Sequence, residues 1–440
     1  MAEPRITQGR TRRAIKIGSL ASQVGSSYLW DSLRHALMPV QERRQARLET
    51  HVRNARRLVE SSRQLRGAFM KLVQMLSMRD DLLPVEALEL LRTTQSEVPP
   101  MDYPLIAQQV RRELGKPPER LFASLETRAF AAASLGQVHR GRLKDGTEVA
   151  VKIQYPGVAA TVSQDLHNLK LLLRALELLV RDLMRQRIDI RAIYRELEER
   201  LLEELNYCNE ARNLNRFRAL LADDPEVLLP RVVPELSSRA VLTMSYLDGY
   251  QLADLFSPEV DLELRRWVAL KYYALVWRQI LDFGVLHTDP NPGNYLVTHE
   301  PRLGILDFGS IRRFPRAIVR GGRKLARGLV GRDRALIAGA LVELGYLDKA
   351  QEPGPMVEIV NIVFEPLLVD APFDPAQYDT VAKAAAVSEI AVKHKLYRSP
   401  PHAIFLLRAL IGLDGIMRGL GVRANYRAAF KEIVARLDGD

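Results

Sequence analysis

Two aspartates, one asparagine and one lysine carry the chemistry this sequence can do. The stretch His287-Thr288-Asp289-Pro290-Asn291-Pro292-Gly293-Asn294 sets an aspartate two residues after a histidine, and an asparagine five residues after that aspartate. An aspartate so placed can accept a hydroxyl proton or orient a water, and an amide oxygen suits Mg²⁺, an oxygen-seeking ion. Asp307-Phe308-Gly309 follows and offers a metal its second oxygen donor. Upstream, Val149-Ala150-Val151-Lys152 places a lysine on a predicted strand, where its ammonium can reach α- and β-phosphates if a carboxylate holds it. Before it runs Ala131-Ala132-Ala133-Ser134-Leu135-Gly136-Gln137, whose tiny side chains let backbone N–H groups approach a polyphosphate. Any one of these pieces arises by chance. Their shared order and spacing point to phosphoryl transfer from Mg-ATP, with Asp289 and Lys152 catalytic and Asn294 and Asp307 as metal ligands. The plain alternative makes Asp289 and Asp307 turn residues and Lys152 an exposed strand lysine, and it leaves that order unexplained.

Elements of two kinds must hold these groups. Asp145-Gly146 between β-rich runs predicts a hairpin that ends in the Lys152 strand. Strand texture returns at 240–246, where Asp248-Gly249 turns the chain out, and a short hairpin over 295–306 precedes Asp307. Asp189 caps a predicted helix in which Ile190, Ile193, Tyr194, Leu197, Leu201 and Leu205 recur at helical steps. Beyond 260 the remainder reads as helix, including a run through Arg408, Leu410, Leu413 and Ile416. Residues 67–115 read as helices punctuated by Pro84, Pro99-Pro100 and Pro104.

Composition narrows the classes. An apolar fraction of 47% with 27% charged residues excludes a mostly disordered or low-complexity chain. The single cysteine, Cys208, excludes an intrachain disulfide and a thiolate-rich zinc site. Lys and Arg exceed Asp and Glu by 64 to 53, a net +11 that favours anionic partners or simply a solvated basic surface. No aromatic interleaving of basic residues is present, so nucleic acid is not expected. No secretory leader and no uncharged apolar run of ~18 residues is seen, so the expected place is the cytoplasm, with any membrane contact peripheral. Arg5, Arg10, Arg12, Arg13 and Lys16 precede an amphipathic stretch through Ile17, Ala21, Val24 and Tyr28. That stretch has two readings: a helix on an anionic bilayer surface, or a helix packed on the main domain.

The alanine-rich loop with its Gly136-Gln137-Val138-His139 sequel, and the proline-bracketed loop His287 to Asn294, resemble the UbiB family, also called AarF or ADCK. These are atypical, protein-kinase-like proteins tied to quinone and isoprenoid-lipid metabolism. The resemblance covers about 65–420. It implies an α+β, two-lobed protein-kinase-like fold with an N-terminal helical extension over the cleft. The expected parts are a basic helical arm (1–66), a helical extension (67–118), a small lobe with inserted helices (119–247) and a helical large lobe (248–440). The family's K-x-G-Q helix stands here as Lys71-Leu72-Val73-Gln74, with Lys71 and Gln74 as regulatory residues that fill the space of a protein substrate.

Further roles follow from the same resemblance. Glu204 and Glu210 are both candidates to hold Lys152. Glu210, in Asn209-Glu210-Ala211-Arg212-Asn213, matches the family's E-A-x-N stretch and is assigned to Lys152, leaving Glu204 for Lys71. Met244-Ser245-Tyr246-Leu247 resembles the hinge where Met244 and Tyr246 border adenine, while Ala131, Ala132, Ala133 and Ser134 border the phosphates. Two departures fall on the regulatory element: Val73 replaces the family glycine, and Asn206 replaces the second carboxylate of its E-x-D motif. The implied function is Mg-ATP binding with ATPase or small-molecule or lipid-pathway phosphotransferase activity. One rival is a nucleotide-gated lipid-handling or scaffold protein with negligible catalysis. Another is a small-molecule kinase of aminoglycoside- or choline-kinase type, which shares the Asp/Asn/Asp layout but lacks a helix like that at Lys71–Gln74.

Overall fold

The computed structural model describes residues 15–20, 22–27, 30, 40–65, 90, 100–133, 135–167, 170, 190–396 and 400–437. Its contacts group the chain into two compact units. The first holds the described residues up to Asn209 together with Val232–Tyr246, and the second holds Glu210–Arg231 and the chain from Leu247 onward.

The first unit is built on an antiparallel sheet. Its strands are β1 (Ser124–Leu125), β2 (Ala131–Ala133), β3 (Gly136–Arg142), β4 (Glu148–Gln154) and β5 (Val241–Ser245). Both β1 and β2 pair with β3, then β3 with β4 and β4 with β5. The β3–β4 turn is the expected one: Gly146 sits at φ +92°, and the Asp145 carboxylate accepts from the Thr147 N–H at 2.9 Å. Because side chains alternate along a strand, Val149, Val151 and Ile153 share one face of β4 and Lys152 takes the other. The first face packs on Ile106 and Val110 of helix α1 (Tyr103–Leu114), with Phe122 and Val241 completing the cluster. Alternation therefore turns Lys152 away from the apolar core that holds its strand.

A second apolar cluster lies in the same unit. It joins Leu135 of the alanine-rich segment to Val162 and Leu166, to Tyr194, Leu201 and Leu205 in and just after helix α2 (Ile190–Glu204), and to Ala55 and Val59 of the helix Val40–Leu65. Ile17 and Leu20 are buried in this cluster and Val24 packs against it. Ile17, Leu20 and Val24 thus pack as the packed-helix reading of that segment expects, while Ala21 and Tyr28 lie outside the described residues. Among the described residues no helix is long and apolar enough to cross a membrane.

The second unit is mostly helical. Helix α4 (Leu262–Arg278) is its axis, burying Val268, Ala269, Tyr272, Tyr273, Leu275, Val276 and Trp277, and Asp261 caps its start by accepting from the Leu264 N–H. Helix α3 (Tyr207–Leu220) runs from the first unit into the second, the division falling between Asn209 and Glu210. Residues 210–231 join the second unit for a visible reason. The Asp224 carboxylate takes Lys271 Nζ at 2.6 Å and an Arg278 N–H at 2.9 Å, both from α4. Helices α5 (Arg316–Gly331), α6 (Arg334–Glu343), α7 (Gly354–Val363), α8 (Thr380–Lys393), α9 (Ala403–Leu420) and α10 (Tyr426–Arg436) follow.

The strands of this unit differ from the sequence expectation. The hairpin of β8 (Tyr295–Val297) and β9 (Leu303–Ile305) is present as expected. It is extended by β6 (Tyr250–Gln251) on one side and by Val227–Leu228, in parallel, on the other. A separate ladder joins β7 (Val285–His287) to β10 (Ile311–Arg313). Strands of two or three residues carry no readable alternation, and their partners lie far along the chain, so neither local pattern nor spacing reports them.

Gly136 tests the tightness of the first sheet. A Cβ at that position would fall 2.2 Å from the Ile153 carbonyl oxygen, a backbone atom that cannot move aside. Gly136→Ala is expected to destabilise the first unit by about 1–3 kcal/mol or more. Denaturant unfolding of the two proteins checks this, and equal midpoints would contradict it.

Candidate functional site

Each unit brings part of the candidate machinery together. In the first, Lys152 is only 8% exposed on β4, opposite Val138 of β3 and Leu242 of β5. Its ammonium lies 5.2 Å from the centre of the Tyr207 ring, a cation–π contact. Ala131, Ala132 and Ala133 form a strand rather than a free loop. They pair with Val138, Gln137 and Gly136, and Ala131 and Ala132 remain exposed. Met244 is buried on β5. Tyr246 follows that strand, its N–H donating to the Glu148 carbonyl at 3.0 Å. The Arg140 guanidinium stacks on the Tyr246 ring at 4.3 Å, and Phe130 meets it edge-on.

Glu204 closes α2, and its carbonyl accepts from the Gln154 amide at 3.2 Å. Asn206, read from sequence as a missing charge, accepts from the Cys208 N–H at 3.2 Å at the start of α3. That is helix-capping geometry, which asparagine and aspartate perform equally well. Lys71, Val73, Gln74 and Ser134 lie outside the described residues.

The Gln137–His139 pair has a role that motif reading does not supply. The Gln137 side chain accepts from the Met101 N–H at 2.7 Å and donates to the Met101 carbonyl at 3.2 Å, as a neighbouring strand would. Its amide nitrogen also lies 2.8 Å from His139 Nε2, which must therefore accept. The other ring nitrogen then carries the proton and donates to the Glu126 carbonyl at 2.7 Å. The ring is fully buried, and burial lowers its pKa against the pull of that carbonyl.

In the second unit, two short ladders converge on one place. The β8–β9 hairpin is prolonged by the Leu306 N–H donating to the Asn294 carbonyl at 2.9 Å, which sets Asn294 across from the residue before Asp307. The β7–β10 ladder is prolonged by the Thr288 N–H donating to the Ser310 carbonyl at 2.9 Å, which sets Asp289 near the end of the Asp307 turn. Asp289, Asn294 and Asp307 are thereby brought together. The Asn294 amide nitrogen donates to one Asp289 carboxylate oxygen at 3.0 Å and to the Asp289 carbonyl at 3.1 Å. No described residue donates to the amide oxygen, which stays available to a cation. Asp307 uses Oδ1 to accept from the Gly309 N–H at 2.8 Å.

The surroundings lock this arrangement. His287 Nε2 lies 2.7 Å from the Asp307 carbonyl, and its Nδ1 accepts from the Asp289 N–H at 3.3 Å, so one ring ties both carboxylate-bearing turns. The His287 N–H in turn donates to the buried Gln279 side chain at 2.8 Å. His287 thus organises the loop through hydrogen bonds. Phe308 is fully buried between His287 and Phe217, and its carbonyl accepts from the Asn213 amide at 3.0 Å. Glu210 is 4% exposed in the first turn of α3, and its Oε2 lies 4.0 Å from where a Cβ on Gly309 would stand. Beneath the loop, burial raises the phenol pKa values of Tyr272 and Tyr295, and the Asp289 charge adds to both.

Sequence reasoning missed Arg408. From α9 its Nη2 reaches Asp289 Oδ1 at 3.4 Å, across 119 residues of chain. Nothing in the local pattern of α9 marks it.

The donors suit Mg²⁺. Among the described residues no group of three or more His, Cys, Asp or Glu could hold a metal ion. One carboxylate and one amide oxygen are what a magnesium needs when phosphates and water supply the other ligands.

Comparison with known proteins gives the family and the fold. A family model described as an ABC1 atypical kinase-like domain matches residues 93–341. The chain is 30% identical over 389 residues to the mitochondrial atypical kinase COQ8 of Saccharomyces cerevisiae, covering 87% of this chain and 76% of that one. It is 30% identical over 417 residues to the mitochondrial atypical kinase COQ8B of Rattus norvegicus, covering 93% and 78%. An uncharacterised chloroplastic aarF domain-containing protein kinase of Arabidopsis thaliana is 30% identical over 426 residues. There the chain spans 96% of itself but only 58% of the relative. A solved structure of Rv3197 with erythromycin, from Mycobacterium tuberculosis, overlays with a TM-score of 0.63 at 24% identity, covering 89% of this chain and 98% of that one.

The neutral, buried His139 has a pH consequence. Its folded pKa is lowered, so the unfolded chain binds the extra proton first. Stability is therefore full above the unfolded value of about 6.5 and declines as pH falls below it. His139→Gln is expected to flatten part of that decline, read as Tm against pH. Parallel wild-type and variant curves would contradict the assignment.

Proposed function

The chain belongs to the ABC1 atypical kinase-like family, the UbiB, AarF or ADCK proteins, and from that premise we propose that it binds Mg-ATP and transfers a phosphoryl group to water or to a small acceptor of quinone or isoprenoid-lipid metabolism. One observation carries the reading. The Asn294 amide has its nitrogen on Asp289, and the Asn294 carbonyl takes the N–H of Leu306, the residue before Asp307. An amide so oriented separates two jobs: its oxygen and Asp307 hold the metal, while Asp289 is left to the acceptor.

Roles follow from chemistry. Asn294 and Asp307 would hold Mg²⁺, which would supply charge neutralisation to the phosphates. Lys152 orients the phosphates, its ammonium placed by strand alternation on the side of β4 away from the apolar core. Glu210 is assigned to hold Lys152, as the family resemblance implies. Backbone N–H groups along Ala131–Ala133 face the phosphates, and Met244 and Tyr246 border the adenine. Asp289 accepts the proton of the attacking hydroxyl or water. Little covalent work falls to the protein, so positioning and charge supply most of the rate.

Titration with ATP and ADP, with and without Mg²⁺, tests the binding half. Tight binding is expected only with Mg²⁺, and Asp307→Asn should remove most of the metal dependence. For the catalytic half, Asp289→Asn should keep nucleotide affinity while turnover falls by about 10²–10⁴-fold, the usual contribution of a positioned acid or base. Equal background phosphate release from both proteins, with and without liposomes, would favour the scaffold alternative. Mg²⁺-independent binding, or none, would end the reading.

A further inference from the structure

Asp289 is the carboxylate assigned above to the acceptor, yet both its oxygens have partners. Asn294 donates to Oδ2 at 3.0 Å, and Arg408 Nη2 donates to Oδ1 at 3.4 Å. The second contact is long for a charge-assisted pair, which is normally about 2.7–2.9 Å. The Arg408 side chain is only 18% exposed and that of Asp289 32%. Arg408 Nε is buried, and no described group accepts from it.

Nε and Nη2 share one edge of the guanidinium, the edge that grips two oxygens of one oxyanion at once. In this structure that edge is half used: Asp289 takes one donor weakly, and the other donor has no partner. A buried orphan donor is costly and calls for a missing acceptor.

Arg408 is not loosely placed. One helical turn along α9, a Cβ on Gly412 would fall 1.9 Å from Pro290 Cγ, so the helix backbone rests directly on the loop. That contact sets the register in which Arg408 meets Asp289. The loop His287–Asn294 contains no lysine or arginine of its own, so this cation is delivered to it by tertiary packing alone.

We propose that Arg408 is the acceptor-recognition residue of this site: it rests on Asp289 until an acceptor bearing a phosphate beside its hydroxyl takes the Nε–Nη2 edge, which releases Asp289 Oδ1 to receive the hydroxyl proton. The inference rests on the phosphotransferase reading and deepens it. It names the acceptor class as a phosphorylated hydroxyl compound, and it gives the site a reason to hydrolyse ATP slowly when only water is present. Without the anion, Oδ1 stays engaged.

The test uses inorganic phosphate as the probe, titrated calorimetrically into the full chain in nucleotide-free, phosphate-free buffer. Arg408→Gln should weaken phosphate binding by about tenfold or more, the scale of a charge-assisted hydrogen-bond pair. Arg408→Lys should fall between, because a single ammonium cannot reproduce the fork. Asp289→Asn should tighten phosphate binding several-fold by removing the competitor for Arg408. The Asp289→Asn, Arg408→Gln double variant should bind as weakly as Arg408→Gln alone.

If the gain from Asp289→Asn persists in the double variant, it is general charge repulsion and the proposal falls. It falls also if Arg408→Gln binds phosphate as wild type does. Should Arg408→Gln fail to fold, Arg408→Lys decides by the same comparison, with wild-type affinity counting against the proposal. Mg-ATP titration of the wild type separates the two levels. Nucleotide binding without the phosphate pattern removes this inference alone. The phosphate pattern without nucleotide binding removes the phosphotransferase reading and leaves an oxyanion site.

Discussion

A single side-chain amide organises the second unit's chemistry. Asn294 can donate through its nitrogen and accept or ligate through its oxygen, and it does the first toward both the side chain and the backbone of Asp289. An aspartate at 294 would repel Asp289 and turn away. An aliphatic residue would leave the Asp289 carbonyl without its donor. The amide is therefore the residue type that can hold a carboxylate and still present an oxygen to a cation. Two short ladders bring the backbone at Asn294, Asp289 and Asp307 together.

The delivery is made by backbone pairing. Two ladders of three residues each are prolonged by one further hydrogen bond at the end nearest the carboxylates. Short ladders are weak alone, so their surroundings must fix them. The His287 ring joins the Asp289 turn to the Asp307 turn, and the buried stack of Phe217, Phe308 and His287 fills the space behind. Asn213 holds the Phe308 carbonyl from α3, while the ion pairs of Asp224 with Lys271 and Arg278 hold the segment after α3 to the axis helix α4. The loop is rigid on one side because several independent contacts meet there. Its contact with Arg408 is long, and it leaves one donor of that side chain without a partner among the described residues.

The first unit solves a different problem, the burial of a lysine. Lys152 lies in a strand whose residues are nearly all buried. A buried ammonium is tolerated only with partners, and the Tyr207 ring face is one of them. The strand itself is held by the Val149, Val151 and Ile153 face against α1, so the apolar work and the ionic work fall on opposite sides of one β-strand. The Gln137–Met101 and His139–Glu126 hydrogen bonds then pin the segments at Met101 and Glu126 to the same sheet.

Much of this could be read without coordinates, and the parts that could share a property. Asp145-Gly146, the strand through Lys152, the hairpin before Asp307 and the long helices are local features, each written within a few residues by turn chemistry or periodicity. The set His287, Asp289, Asn294 and Asp307 is short-range as well, and its residue types restrict it to oxygen-ligand and proton-transfer chemistry. The capping role of Asn206 and the strand that Ala131–Ala133 form are local as well, although the sequence reading assigned those residues otherwise. The β7–β10 ladder, the strand-like grip of Gln137 on Met101 and the approach of Arg408 to Asp289 were settled only by tertiary structure. These depend on which segments meet across tens to more than a hundred residues. No repeat, period or turn signal encodes that meeting, because it is decided by how buried faces fit once the elements have already formed.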